Sequence, residues 1–188
     1  MGEKAVYIGL VHHPVLDRSG RVITTAVTNM DLHDMARLSR TYGLKGYYVV
    51  QPLELQRRLV ERLTNYWKEG RGKDYNPTRR DAFERLRLVP ELSDAIEEIE
   101  AEQGKRPIVV GTSARQQKKT IKFDDLRPMM KKDGPWLILF GTGWGVEPGF
   151  LEEATDHIVE PIRAGSDYNH LSVRTAAAIA LDRLIGEE

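Results

Sequence analysis

Short apolar runs punctuate the chain at residues 5–11, 46–51, 107–111 and 136–140, each closed by a glycine or a turn and followed by helical periodicity. The runs are near-continuous rather than alternating, as parallel strands are when helices cover both faces. Weaker strand signals lie at 83–89 and 157–159. Between them, 31–42 carries Leu32, Met35, Ala36 and Leu38 at helical spacing, with Gly43 as a stop. Pro52 opens a second helix, where its missing N–H costs nothing, and Leu53, Leu55, Leu59, Val60 and Leu63 form its expected buried stripe. Ser93 is placed to cap a third helix that runs to Glu102 before Gly104, and an alanine-rich helix spans 172–185. Strands alternating with helices imply a mostly parallel α/β sheet.

The 188 residues suit one domain, 1–188, with a helical or loop insertion around 53–106. Within it, 71–80 is polar, basic and glycine-containing, and reads as a mobile segment. Cysteine is absent, which removes disulfides, thiolate metal sites and cysteine nucleophiles together. Met1-Gly2-Glu3-Lys4 leads straight into the first apolar run, and no run approaches the ~20 residues a membrane span needs. The expectation is a soluble, cytoplasmic protein with no membrane partner. Basic and acidic residues balance at 28 each, which argues against nonspecific coating of nucleic acid but leaves local basic faces open. Two segments concentrate cations: Lys68, Arg71, Lys73, Arg79, Arg80, and Arg115, Lys118, Lys119, Lys122. Either set reads as solvated loops or as a rim that contacts nucleic acid.

In an open α/β sheet, ligands bind beyond the carboxyl ends of the strands. Three such ends are unusual: 109–115 (VVGTSAR), 139–149 (LFGTGWGVEPG) and 158–165 (IVEPIRAG). Four glycines in nine residues after 140 exceed the need of one tight turn and let backbone approach a ligand closely. The pattern is no phosphate fingerprint, because Val146 stands where G-x-G-x-x-G requires its third glycine, and no G-x-x-x-x-G-K-[ST] occurs. Backbone-lined adenosine binding therefore ranks first. His12-His13, His33, His157 and His170 show no ligand spacing, so no metal is expected.

Gly111-Thr112-Ser113-Ala114-Arg115, then Phe140-Gly141 opening the glycine-rich loop, then Val159-Glu160-Pro161-Ile162, then a loop into an alanine-rich last helix, resemble the SPOUT methyltransferases. More narrowly they are similar to the bacterial S-adenosylmethionine (SAM)-dependent RNA methyltransferase domain sometimes fused to a tRNA guanine-N1 methyltransferase. The resemblance implies a C-terminal trefoil knot, a homodimer, SAM as cofactor and structured RNA, tRNA or rRNA, as substrate. By the same resemblance Gly111, Thr112 and Ser113 line one side of the cofactor. Phe140, Gly141, Thr142, Gly143, Trp144 and Gly145 supply a second wall, and Val159, Pro161 and Ile162 a third. His170, Leu171 and Ser172 close the site.

Two departures bear on the target atom. Where ribose 2′-O enzymes carry Ser-Leu-Asn-Val-Ser, this chain has His170-Leu171-Ser172-Val173-Arg174, whereas Ser166-Asp167-Tyr168 resembles the Gly-Asp-Tyr of the guanine-N1 class. Arg37, six residues before Gly43, matches the arginine of the first motif. Since the sulfonium methyl is already activated, the residues must align the attack and take a proton from a weak nucleophile. Asp167 is the candidate base, and Arg37 the candidate to position phosphate or base. The alternative function is a nonenzymatic RNA-binding or assembly module that keeps the fold.

Overall fold

The computed structural model describes residues 5–132 and 134–187, so Met1–Lys4 lie outside the description. The chain opens with β1 (Val6–Val11), then a small antiparallel hairpin of β2 (Val15–Leu16) and β3 (Val22–Ile23). After it come α1 (Asn29–Thr41), β4 (Gly46–Val50), α2 (Glu54–Lys68), α3 (Gly72–Tyr75), α4 (Pro77–Phe83), β5 (Leu86–Val89), α5 (Leu92–Gln103) and β6 (Ile108–Thr112). The remainder is β7 (Thr120–Ile121), α6 (Phe123–Lys132), β8 (Trp136–Gly141), α7 (Pro148–Ala154), β9 (His157–Val159) and α8 (Val173–Ile185). Seven strands form one sheet in the order β5-β4-β1-β8-β6-β9-β7, every neighbouring pair parallel.

Burial on both faces explains the unbroken apolar runs. All six residues of β1 are buried. Ile8, Leu10, Val49, Ile138 and Phe140 meet Leu32 and Met35 of α1, Leu126 and Met130 of α6, and Ala177 and Leu181 of α8. The opposite face sets Tyr7, Val11, Val50, Val109 and Leu139 against Ala95 and Ile99 of α5 and Leu151 of α7. Because β9 lies between β6 and β7, strands consecutive in the chain, the segment leaving β9 runs beside the 113–119 connection, where Asn169 Nδ2 donates to the Ala114 carbonyl at 3.0 Å.

Several local expectations change. The helix expected from Pro52 begins at Glu54, and Leu53, Leu55 and Leu59 face solvent; Val60 is its buried residue, with Leu63 and Trp67 packed beside it on the core. The helix rests on one narrow edge at i, i+3, i+7 rather than on a broad stripe. Ser93 lies inside α5; the start is fixed by Asp94, whose carboxylate accepts from the Glu91 N–H at 2.9 Å, and Gly104 ends the helix in the left-handed region, φ 70°. Only 86–89 of the expected 83–89 strand is extended, since Phe83 ends α4. The 71–80 segment holds the short helix α3 and the start of α4 rather than an irregular loop. Pro77 occupies the first turn of α4, and the Asn76 side chain accepts from the Arg79 N–H.

Candidate active site

The carboxyl ends of β6, β8 and β9 open into one cavity of about 580 Å³, which the start of α1 and the first turns of α8 complete. Its apolar lining includes Phe140, Val159, Ile162, Ala176 and Ala180, and its volume is that of a site for one small ligand. The glycines after β8 do different jobs. A Cβ on Gly141 would lie 2.7 Å from the Val146 amide nitrogen, so the tight turn itself requires glycine. Gly143 (φ +58°) leaves no room beside the Leu16 carbonyl, 2.9 Å from where its Cβ would be. Gly145 (φ +98°) meets nothing within 4 Å and lines the cavity. Only its backbone conformation forbids a side chain.

Below this loop runs a chain of hydroxyls. Thr142 donates to the Val11 carbonyl at 3.1 Å, and Thr25 and Thr142 share a short hydrogen bond. With the Thr142 proton committed, Thr25 donates to Thr142, so His12 Nδ1–H donates to Thr25 at 3.0 Å. This leaves His12 Nε2 as a bare, buried acceptor without a partner. Burial pushes the His12 imidazole down to about pH 4, only partly offset by the Asp31 carboxylate. His12 is thus neutral at physiological pH and fixes the two threonines that line the cavity.

The second polar cluster ties α1 to α8. Thr28 caps α1 and donates to Asp31 at 2.7 Å, while Arg174 Nη1 reaches the other Asp31 oxygen at 2.6 Å and its Nε lies 3.3 Å from Asp34. Asp31 is buried and lines the cavity with Arg174 and Thr28. These three were not singled out as site residues in the sequence, although Thr28-x-x-Asp31 is a capping signature that marks the helix start. Glu160 also lines the cavity, but its carboxylate is engaged with the Phe123 N–H at 3.0 Å, at the start of α6.

Of the expected cofactor residues, the cavity brings together Thr112, Ser113, Phe140, Gly141, Thr142, Gly143, Trp144, Gly145, Val159, Ile162, His170, Leu171 and Ser172. Gly111 and Pro161 are buried outside it. A Cβ on Gly111 would sit 2.8 Å from Leu151, so that glycine admits α7 against the strand. Trp144 stands at the rim, its ring 5.1 Å from His170, which in turn lies 5.7 Å from Tyr168. Asp167 is exposed on the loop before α8, touching Ser166 and not lining the cavity. Arg37 is exposed on α1 and lines a separate cleft.

The residues suit SAM. The apolar walls match an adenine ring, the glycine loop presents backbone groups, and Arg115 brings a cation for the carboxylate of the methionine end. A parallel sheet with such a cavity at its carboxyl edge is the architecture of a ligand-binding α/β domain. Residues 5–186 match the family described as SAM-dependent RNA methyltransferase, and the chain belongs to that family. It is 47% identical over 180 residues to an uncharacterized protein of Aquifex aeolicus, covering 95% of this chain and 87% of that one. It is 44% identical over 182 residues to a tRNA (guanine-N(1)-)-methyltransferase of Oleidesulfovibrio alaskensis, covering 97% of this chain but 42% of the relative, less than half its length. Among solved structures, the SpoU methyltransferase of Streptomyces viridochromogenes, in complex with AdoMet, superposes with a TM-score of 0.60 at 17% identity, over 98% of this chain and 61% of that one. Among the described residues no helix is long and apolar enough to cross a membrane.

Proposed function

We propose that this protein methylates a base of tRNA, working as a cytoplasmic homodimer whose C-terminal segment is threaded as a trefoil knot. The observation that carries the methyl-transfer reading is the cavity itself, formed where the β6, β8 and β9 loops converge around Gly145. SAM supplies a methyl group already activated by its sulfonium. What remains for the chain is to hold the nucleophile in line and receive its proton. Asp167 is the sole carboxylate between Arg163 and Ser172, and it lies on the loop that delivers His170 and Leu171 to the cavity wall. We assign it the proton. Arg174 and Asp31 hold the first turn of α8 against α1, which keeps that wall in place.

The choice of a base over a ribose rests on Ser166-Asp167-Tyr168 and on Ser172 and Arg174 standing where the ribose class has Asn and Ser. The name of the Oleidesulfovibrio relative supports tRNA as the RNA. Threading is supported by the position of β9 between β6 and β7. A dimer is supported by Trp144, Tyr168 and Leu171, large apolar side chains left exposed on the cavity loops, which a two-fold contact would cover. Light scattering at micromolar concentration checks it; a monomer there removes the dimer.

Incubation with labelled SAM and unmodified tRNA transcripts, followed by digestion to nucleosides, tests the function. A methylated base is expected; a 2′-O-methylated nucleoside overturns base methylation, and no transfer to any RNA overturns the reading. Asp167→Asn should keep SAM affinity and lower turnover by roughly 10²-fold, the usual contribution of a general base. Unchanged turnover removes Asp167 from that role.

A further inference from the structure

A second concavity, of about 500 Å³, lies between α1 and the α3–α4 segment, away from the cofactor cavity. Its character is the reverse: Arg37, Arg40, Arg79, Thr41, Thr78 and Asn76 line it, with Asp81 the acidic residue of the lining. Arg40 is matched by Asp81 at 2.6 Å. Among the described residues neither Arg37 nor Arg79 has a carboxylate partner, and the Arg79 guanidinium lies over the Trp67 ring, 4.6 Å from its centroid. Stacking of this kind fixes the plane of a guanidinium while leaving its N–H groups free for phosphate oxygens.

Aromatic and basic side chains surround the cleft. His33 packs edge-on against Trp67 and Phe83, at 5.2 and 4.8 Å. Its imidazole is held below its ordinary value, first by burial and then by the Arg79 and Arg37 charges, with Asp34 opposing. Residues 68–84 bear Lys68, Arg71, Lys73, Arg79 and Arg80 against Glu69, Asp74, Asp81 and Glu84, with Lys68 paired to Glu84 at 3.3 Å. Close by in the chain are Tyr75, 83% exposed, and Tyr66, 48% exposed. Arginines interleaved with exposed aromatic rings suit a polyanion whose monomers also have faces that stack.

The geometry points to the α1/α3–α4 cleft as a docking site for the phosphodiester backbone of the substrate RNA, with Arg79 and Arg37 on phosphates and Tyr75 as a stacking platform beside them. The inference rests on the RNA methyltransferase reading for the identity of the polyanion. The cleft and the cofactor cavity share α1: Thr28 and Asp31 serve the cavity, and Arg37, Arg40 and Thr41 the cleft. One RNA bound along α1 reaches both.

Binding of unmodified tRNA transcripts, followed by filter retention across a salt series, tests this without turnover. Thr78→Glu sets a carboxylate in the cleft at an exposed position in the first turn of α4, where a negative charge favours the helix. It should weaken RNA at least tenfold with unchanged melting temperature and SAM affinity. Arg79→Ala should weaken binding about tenfold and lower the slope of log affinity against log salt by about 1. Tyr75→Ala should weaken binding severalfold and leave the slope alone. In turnover assays the variants should raise KM for RNA and keep kcat. Wild-type RNA affinity and salt slope in both Thr78→Glu and Arg79→Ala overturn the inference. Cleft-dependent RNA binding in a protein that transfers no methyl group would leave this site standing and remove the proposed function instead.

Discussion

The cofactor cavity and the arginine cleft open beside the same helix and are built on opposite principles. In the cavity, the two carboxylates are already engaged, Asp31 with Arg174 and Thr28 and Glu160 with the start of α6. Its remaining surface is largely apolar walls and the glycine loop after β8. In the cleft, Arg40 is paired with Asp81, while Arg37 has no carboxylate partner among the described residues and Arg79 rests on a ring. A site whose carboxylates are internally satisfied can recognise one small molecule by shape. A site with free guanidinium groups holds a repeating anion that must also leave.

The largest effect expected from breaking this contrast lies at Gly145. Gly145→Val forces a β-branched side chain to φ +98° on the cavity wall and should lower SAM affinity by at least about 100-fold, with the fold retained. Calorimetry that returns wild-type affinity displaces the cofactor site. Next comes the buried His12. Its folded-state pKa of about 4 lies below the ordinary 6.5, so the unfolded chain binds its proton first. Stability should therefore be complete above pH 6.5 and fall by up to roughly 3 kcal/mol as pH drops toward 4, at about 1.4 kcal/mol per unit of pKa difference. Titration of His33, also depressed, adds to the slope in the same direction. Urea midpoints across this window should show the slope, and His12→Asn should reduce it. An unchanged slope in that variant would mean His12 is not the buried neutral group.

Charge removal should then separate the two sites by magnitude. Arg174→Met leaves Asp31 buried without its cation and should cost about 1–2 kcal/mol, less than a fully buried pair because Arg174 is partly exposed. Arg79→Met in the cleft should cost well under 1 kcal/mol. Equal losses in denaturant melts would erase the distinction. The smallest effect is Asp81→Asn, whose partner Arg40 is half exposed: stability within about 0.5 kcal/mol, and RNA affinity raised severalfold as Arg40 is released.

The sequence is legible where both faces of a strand are covered. The runs ending at Val11, Gly111 and Phe140 need no tertiary knowledge, because continuous burial writes itself as continuous hydrophobicity. The glycine loop is legible for the same kind of reason, since positive φ at Gly143 and Gly145 demands glycine. By contrast, Leu53, Leu55 and Leu59 have the spacing of a core stripe and face solvent, which periodicity alone does not separate from an edge that awaits cover. Helix α6, with Phe123, Leu126 and Met130 buried, carries Pro128 inside it and is short enough to pass as a loop. Arg174 read as a departure from a motif. Its partner lies 143 residues away on α1, and no local pattern carries that distance.

The sheet order has a consequence for how the molecule is made. Strand β7 pairs with β9 and not with β6, the strand that precedes it in the chain. As the polypeptide leaves the ribosome, residues 120–121 have no neighbour until 157–159 have been synthesised and slotted in beside them. The half of the sheet with β4, β1 and β5 can pair from N-terminal residues alone, whereas β8 and β9 close the other half late and out of sequence. Such non-local pairing slows folding, and it makes the cavity at the ends of β6, β8 and β9 among the last parts of the nascent chain to exist.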